Sequence, residues 1–193
     1  MSVVVALVLY SSIAAGGGRG ASDRPYISVY AAARSPEPLL EILFPPTLNL
    51  SSEARLLAVA LGQPITKRWG LEWDAEGQLV RHFGDQDHFE VNALLVARWH
   101  PPALQDTVQT AIAVGEGFSY ATAVPPLEPR DAREDEESAR FLNYLMLEVE
   151  LAPPGARRWS GFLRIHHRSG IFGLISNVKG GSNFIGLGLR RRF

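Results

Sequence analysis

The sequence predicts an all-β protein, an antiparallel up-and-down transmembrane β-barrel of about eight strands. Three observations support this prediction: long segments in which apolar and polar residues alternate, connections of alternately short and long length, and a final amphipathic strand that ends in Phe193. The alternating segments are about 8 to 14 residues long. A tilted strand needs about 9 to 11 residues to cross a bilayer, whereas strands of soluble proteins average about 5 or 6.

The first segment has the features of a secretory signal. An apolar run over 3–15 is followed by Gly16-Gly17-Gly18, with small residues for cleavage after Ala15 or Ala21. No Lys or Arg precedes the run, so the alternatives are a start site inside a longer signal, or a buried strand. We expect residues 1–21 to be a signal peptide and residues 22–193 to form the barrel.

From Tyr26 onward, alternation with a period of two predicts strands. In the fourth strand, Phe89, Val91 and Leu95 share one face, while Glu90 and Asn92 share the other. The predicted strands are 26–34, 54–62, 67–74, 87–100, 107–120, 140–151, 157–169 and 183–193. Trp69, Trp73, Trp99 and Trp159 lie near strand ends, as in the aromatic girdles of membrane barrels.

The connections predict the orientation in the membrane, because outer-membrane barrels have short periplasmic turns and longer external loops. The short connections are Gln63-Pro64-Ile65-Thr66, a turn that opens with Pro101-Pro102, and 152–156. The long ones are 35–53, 75–86, 121–139 and 170–182. The apolar segment 38–44 is an alternative, additional short strand.

The last strand predicts how the protein is assembled and where. Ile185, Leu187, Leu189 and Phe193 share one face, opposite Gly186, Gly188, Arg190 and Arg192. This pattern resembles the C-terminal recognition strand of bacterial outer-membrane proteins. We therefore expect a bacterial outer-membrane location, contact with membrane lipid, and recognition by the outer-membrane assembly machinery through Phe193.

Composition excludes several other classes. The chain has 193 residues, no cysteine and a net charge of −1, so we expect neither a disulfide framework nor a nucleic-acid partner. A soluble β-sandwich or lipocalin-like barrel remains the alternative fold, because alternation alone does not say which face points inward.

Charged residues of the sixth and seventh strands share the predicted lumen face, where they would form an ion-pair network. They are Glu148, Glu150, Arg164, His166 and Arg168. His166 and His167 are adjacent and point to opposite faces, so they would not hold one metal ion together. We expect no metal and no cofactor.

His167 and Ser169 fall on the opposite, lipid-facing side, near the outer rim. Residues two apart on a strand lie on the same face with about 7 Å between their backbones. A histidine in this position can serve as general base for a serine hydroxyl. At a lipid surface, such a pair would meet the ester bonds of a glycolipid.

The His-x-Ser of His167 and Ser169, about 25 residues before Phe193, resembles the outer-membrane lipid A 3-O-deacylase family. The resemblance covers the last two strands and implies an eight-stranded barrel that releases an ester-linked acyl chain from lipid A, a component of lipopolysaccharide. It implies Ser169 as nucleophile and His167 as base, with an acidic residue downstream to orient the histidine.

Two features depart from this family. No Asp or Glu follows Ser169, and Gly170 stands where the family has Asn. Asn177 or Asn183 could orient His167 instead, since some hydrolases use Asn in this role; Glu116, on a non-adjacent strand, is a remote candidate. The alternative function is a non-catalytic outer-membrane barrel with a structural or adhesive role.

Overall fold

The computed structural model describes residues 24–44, 46, 49–105, 107–128, 139–156, 158–171, 174–176, 178 and 180–193. The predicted signal peptide lies outside these residues. The described chain contains eight strands, one short helix and one 3-10 turn at Pro102–Leu104. In chain order they are β1 Tyr26–Ser35, α1 Leu39–Leu43, β2 Ser51–Arg68, β3 Leu71–Gly84, β4 Phe89–Trp99, β5 Gln109–Ala121, β6 Phe141–Ala152, β7 Trp159–Ser169 and β8 Gly181–Arg192.

The strands form a closed antiparallel barrel in which each pairs with its neighbours in sequence, and β8 pairs with β1. This seam runs the full length of β1, from Tyr26 opposite Arg192 to Ser35 opposite Asn183. Beyond it, the backbone N–H of Phe193 donates to the carbonyl oxygen of Pro25 at 3.0 Å. The predicted up-and-down barrel of eight strands is confirmed.

The apolar residues lie on the outside of this barrel. Phe89, Leu163 and Leu187 are 48%, 46% and 71% exposed, whereas Glu90 and Arg164, on the opposite faces of the same strands, are fully buried. A soluble barrel would have the reverse arrangement, so that alternative is wrong. The described chain is a transmembrane barrel of the bacterial outer-membrane type.

Exposed aromatic residues form a girdle at each end of the wall. All four tryptophans belong to one end of the barrel, which carries the β2–β3 turn, the start of β1 and the end of β8. We call it the periplasmic end. The opposite, extracellular end carries exposed Phe83, Phe89, Phe118, Tyr120 and Phe141. Phe118 and Phe141 stack with 5.4 Å between ring centroids. The distance between the two girdles marks the apolar band that faces lipid.

The predicted boundary between the second and third strands was wrong. Gln63–Thr66 is not a turn but part of β2, and the register of the β2–β3 pair shifts between Pro64 and Thr66. A bulge of this kind accommodates proline, which has no N–H to donate. The turn is instead Trp69-Gly70, where both residues have positive φ, as a two-residue hairpin turn requires.

The segment 75–86, predicted as a loop, belongs almost entirely to β3, and the connection that follows it is only 85–88. Its polar residues Glu76 and Gln78 face the lumen, which explains why the segment resembled a loop. The predicted alternation of loop lengths therefore fails here: this external connection is shorter than the periplasmic one, 100–108. The external connections 36–50, 122–140 and 170–180 are long.

The apolar segment 38–44 does not form an additional strand. Residues Leu39–Leu43 form α1, which lies against the outer wall with Ile42 buried and Leu40 exposed. None of the helices in the described part of the chain is long and apolar enough to span a bilayer.

Candidate functional site

A polar site lies on the outer wall near the extracellular ends of β7 and β8. His167 of β7 is paired with Asn183 of β8, and the imidazole Nδ1 lies 2.6 Å from the amide Oδ1 of Asn183. His167 is half-buried, and Asn183 is only 7% exposed although its side chain lies on the outer face. The connection after β1 covers it.

The surroundings of Asn183 determine which ring nitrogen of His167 carries the proton. The amide Nδ2 of Asn183 donates a hydrogen bond to the carbonyl oxygen of Glu37 at 2.8 Å. A carbonyl only accepts, so the amide oxygen must face the imidazole, and Nδ1 of His167 must carry the proton that it donates. In the neutral imidazole, Nε2 is then the basic nitrogen.

Ser169 lies two residues further along the same face of β7. It is paired with Gly181 of β8 and with Asn143 of β6. A Cβ added at Gly181 would lie 2.3 Å from the carbonyl oxygen of Arg168 and 3.0 Å from the Cβ of Ser169, so only glycine fits where the two strands meet. Ser169 and His167 share the outer face of β7, since both are half-buried while His166 and Arg168 are buried in the lumen.

The other two candidates for orienting His167 have different positions. Asn177 lies outside the described residues. Glu116 is exposed on the outer face of β5, in the same lateral row as His167, with Leu145 of β6 between them. Of these candidates within the described chain, Asn183 is the one in hydrogen-bond contact with the imidazole.

An apolar groove begins immediately below this site, toward the middle of the membrane. It has a volume of about 480 Å³ and lies between the β1–β2 connection and the outer wall. The connection contributes Ile42, Leu43 and Pro46, and the wall contributes Leu163, Ile165 and Ile185. Ile165 and Ile185 are each two residues from His167 and Asn183, on the same face. A hydrocarbon chain in this groove would have its polar end beside the imidazole.

The five predicted lumen residues all point into the barrel. Glu148 accepts hydrogen bonds from Arg164 at 2.6 Å and from Arg190 at 2.7 Å. Glu150 accepts one from Arg98 at 2.6 Å. Each carboxylate is thus held by at least two guanidinium groups, since Glu150 also pairs with Arg190 and Arg192. These ion pairs occupy the lumen together with buried apolar side chains such as Tyr30 and Phe162.

His166 and Arg168 belong to the upper part of this network. Nδ1 of His166 is 2.9 Å from the hydroxyl of Tyr30, and its Nε2 is 3.0 Å from a carboxylate oxygen of Glu90. Arg168 donates to Ser119 at 2.8 Å and forms an ion pair with Glu128 of the β5–β6 connection. His166 and His167 therefore have separate surroundings on opposite sides of the wall.

Sequence reasoning missed several residues that build these sites. The carbonyl of Glu37 carried no signal, because any residue has one. The lumen network also includes Asp74, Glu76, Arg98, Arg190 and Arg192. Alternation already placed Arg98, Arg190 and Arg192 on the lumen faces. Their opposite charge to the acidic residues of β6 was the signal that could have identified them as partners.

Comparisons with known proteins show the fold. No protein-family model and no curated protein sequence matches the chain. Among solved structures, the chain is similar to the outer membrane enzyme PagL, with 14% identity, a TM-score of 0.53, and coverage of 87% of this chain and 99% of that one. It is also similar to Neisserial surface protein A, with 12% identity, a TM-score of 0.51, and coverage of 88% and 97%. Both similarities agree with the outer-membrane barrel fold described above.

Proposed function

We propose that this outer-membrane barrel is an esterase that removes an ester-linked acyl chain from lipid A of lipopolysaccharide, with Ser169 as nucleophile and His167 as base. The observation that carries the proposal is the contact between Asn183 and His167. Asn183 would orient His167 in place of the acidic residue that the sequence lacks after Ser169. The contact also leaves Nε2 of His167 as the basic nitrogen.

The position of the site favours a lipid substrate. Ser169 and His167 lie on the lipid-facing wall near the extracellular girdle, at the level where polar head groups meet acyl chains. The apolar groove next to them has a lining of the kind that an acyl chain requires. An ester bond at the head of such a chain would lie next to the serine.

The reaction would proceed in two steps. Nε2 of His167 accepts the proton of Ser169 Oγ as that oxygen bonds to the ester carbonyl carbon, and the same proton passes to the sugar oxygen when the ester C–O bond breaks. Water then attacks the acyl-serine, giving its proton to Nε2, which returns it to Ser169 as the free fatty acid leaves. Asn183 keeps the imidazole in the required tautomer throughout.

The test is hydrolysis of lipid A by the purified protein in lipopolysaccharide-containing vesicles, followed by mass spectrometry of lipid A and released fatty acid. We expect the wild type to remove one acyl chain, and Ser169→Ala and His167→Ala to lose at least about 1000-fold in rate. A fluorophosphonate probe should label the wild type and not Ser169→Ala.

The matched control is Ser52→Ala, since Ser52 is exposed at the same end of the barrel and should leave the rate unchanged. An unaltered acyl pattern with the wild type, or equal rates for wild type and Ser169→Ala, would contradict the proposal. These results would support the alternative, a non-catalytic barrel with a structural or adhesive role, which the absence of an acidic residue after Ser169 favours.

A further inference from the structure

A compact group of possible metal ligands lies at the extracellular end of the lumen. His82 is near the end of β3, Glu90 is near the start of β4, and His88 lies in the connection between them; we call these three residues the rim cluster. One ligand atom from each lies within 4.8 Å of the other two. The backbone N–H of His82 donates to the carbonyl oxygen of His88 at 3.0 Å, so the hairpin itself holds the group together.

The rim cluster is buried and incompletely satisfied. His82, His88 and Glu90 are 1%, 4% and 0% exposed. The two imidazole rings stack with 4.3 Å between centroids and 14° between planes. Nε2 of His88 has no hydrogen-bond partner among the described residues. Buried polar atoms are rarely left unpaired, so this nitrogen indicates a missing partner.

His82 can be freed for a metal by a rotation of its neighbour. At present Nε2 of His82 lies 3.0 Å from Glu90, and its Nδ1 lies 3.2 Å from the amide nitrogen of Gln86. Within the part of the chain that the structure describes, the amide oxygen of Gln86 is buried without a hydrogen-bond partner. If the amide turned over, that oxygen would accept a hydrogen bond from Nδ1–H, and Nε2 of His82 would become a free ligand.

We propose that the rim cluster binds one divalent transition-metal ion of the zinc type through His82, His88 and Glu90. Two imidazole nitrogens and one carboxylate oxygen are ligands that Zn²⁺ prefers, whereas Mg²⁺ and Ca²⁺ prefer oxygen alone. A modest side-chain movement would bring the three ligand atoms to bonding distance, and a fourth position would remain for water or an exogenous ligand.

The surrounding charges favour a cation. Glu90 and Glu128 are both buried, and Arg168 is the guanidinium that lies near both, 3.7 Å from Glu90 and paired with Glu128. These three groups together carry one net negative charge. His166, 3.0 Å from the other oxygen of Glu90, fixes the carboxylate, as second partners of metal ligands commonly do.

Isothermal titration calorimetry of the full chain in detergent, after removal of metals with a chelator, tests this proposal. We expect one Zn²⁺ per chain and no heat of binding with Mg²⁺. His88→Ala should weaken Zn²⁺ binding by more than about 100-fold, because the variant removes a direct ligand. His88 suits this test because the substitution removes no hydrogen bond of Nε2 to any described residue. The matched control is His100→Ala at the periplasmic end, which should bind Zn²⁺ as the wild type does.

A second measurement does not depend on any variant. Co²⁺ bound to two imidazoles and a carboxylate in tetrahedral geometry should give a visible absorption band, and Zn²⁺ should displace it. No Zn²⁺ binding by the wild type, unchanged affinity in folded His88→Ala, or a Co²⁺ spectrum identical to that of the aqueous ion would overturn the proposal. Lipid A hydrolysis is not used as a readout, so this proposal and the proposed function fail independently.

Discussion

An amide in place of a carboxylate changes what the third member of the site can do. Asn183 holds the imidazole of His167 in one tautomer through the 2.6 Å contact between Oδ1 and Nδ1. It carries no charge, however, and therefore stabilises the imidazolium that forms when His167 takes a proton less than a carboxylate would. The proposed site is thus oriented for hydrolysis but has less electrostatic stabilisation than a site with Asp or Glu.

Asn183→Ala should lower the rate of lipid A hydrolysis by about 10- to 100-fold, less than the loss of about 10⁴ that follows removal of an acidic partner. The imidazole would lose its orientation, whereas the nucleophile and base would remain. The measurement is the initial rate of fatty-acid release in lipopolysaccharide vesicles. Ser52→Ala, exposed at the same end of the barrel, is the control with an unchanged rate. A rate equal to that of the wild type would show that Asn183 does not act through His167.

Among the elements, the β2–β3 hairpin depends most on a single turn. Trp69 and Gly70 have φ values of 56° and 75°, and together they join the two longest strands. The left-handed backbone conformation costs an L-residue about 1–2 kcal/mol, whereas glycine adopts it freely. Gly70 therefore sets the register of a hairpin that forms a quarter of the wall.

Gly70→Ala should lower the free energy of unfolding by about 1 kcal/mol. The cost comes from the backbone alone, because no described residue other than its two chain neighbours has an atom within 4 Å of a Cβ added there. Urea denaturation in lipid vesicles, followed by tryptophan fluorescence, measures the change. Gly77→Ala is the control, since a Cβ at Gly77 meets only a carbonyl oxygen at 4.0 Å in ordinary strand backbone. Equal effects of the two substitutions would refute the assignment of the turn.

The sequence was sufficient for the elements with unbroken alternation and insufficient where a lumen residue resembled a loop residue. Strands β4 and β7 were predicted to within two residues at each end, because alternation runs unbroken along most of each strand, as at Val91 between Glu90 and Asn92. Pro64, Glu76 and Gln78 misled the prediction. A strand can contain a proline at a bulge, and polar residues can face a lumen, but both depend on the closed barrel, which the local sequence does not show. The position of α1 against the wall and the contact between Asn183 and the Glu37 carbonyl join distant parts of the chain. The local sequence pattern therefore did not predict them.

On the scale of the whole molecule, the charged side chains lie inside the barrel and the apolar side chains lie outside. Four arginines and four acidic residues pair in the middle of the lumen, and the wall around them is apolar. Removing a partner from a buried pair costs about 3–5 kcal/mol, because an unpaired charge remains. The lumen is therefore a packed interior in which each charged side chain depends on its partner.

Leu95→Arg should lower the free energy of unfolding in lipid vesicles by about 2–4 kcal/mol, because Leu95 is exposed on the lipid-facing side near the middle of β4. Val108→Arg, just before β5 at the periplasmic end, should cost about 0–1 kcal/mol. Equilibrium unfolding in vesicles of fixed lipid composition compares the two. Equal costs would contradict the position assigned to the apolar band.

The contact between Asn183 and Glu37 crosses the seam where the first and last strands meet, because Ser35 lies opposite Asn183. A newly synthesised chain in transit has not yet joined these strands, so the amide lacks the carbonyl that aligns it. Under the proposed chemistry, the enzyme would remain latent until insertion is complete, and its activation would coincide with arrival beside its substrate.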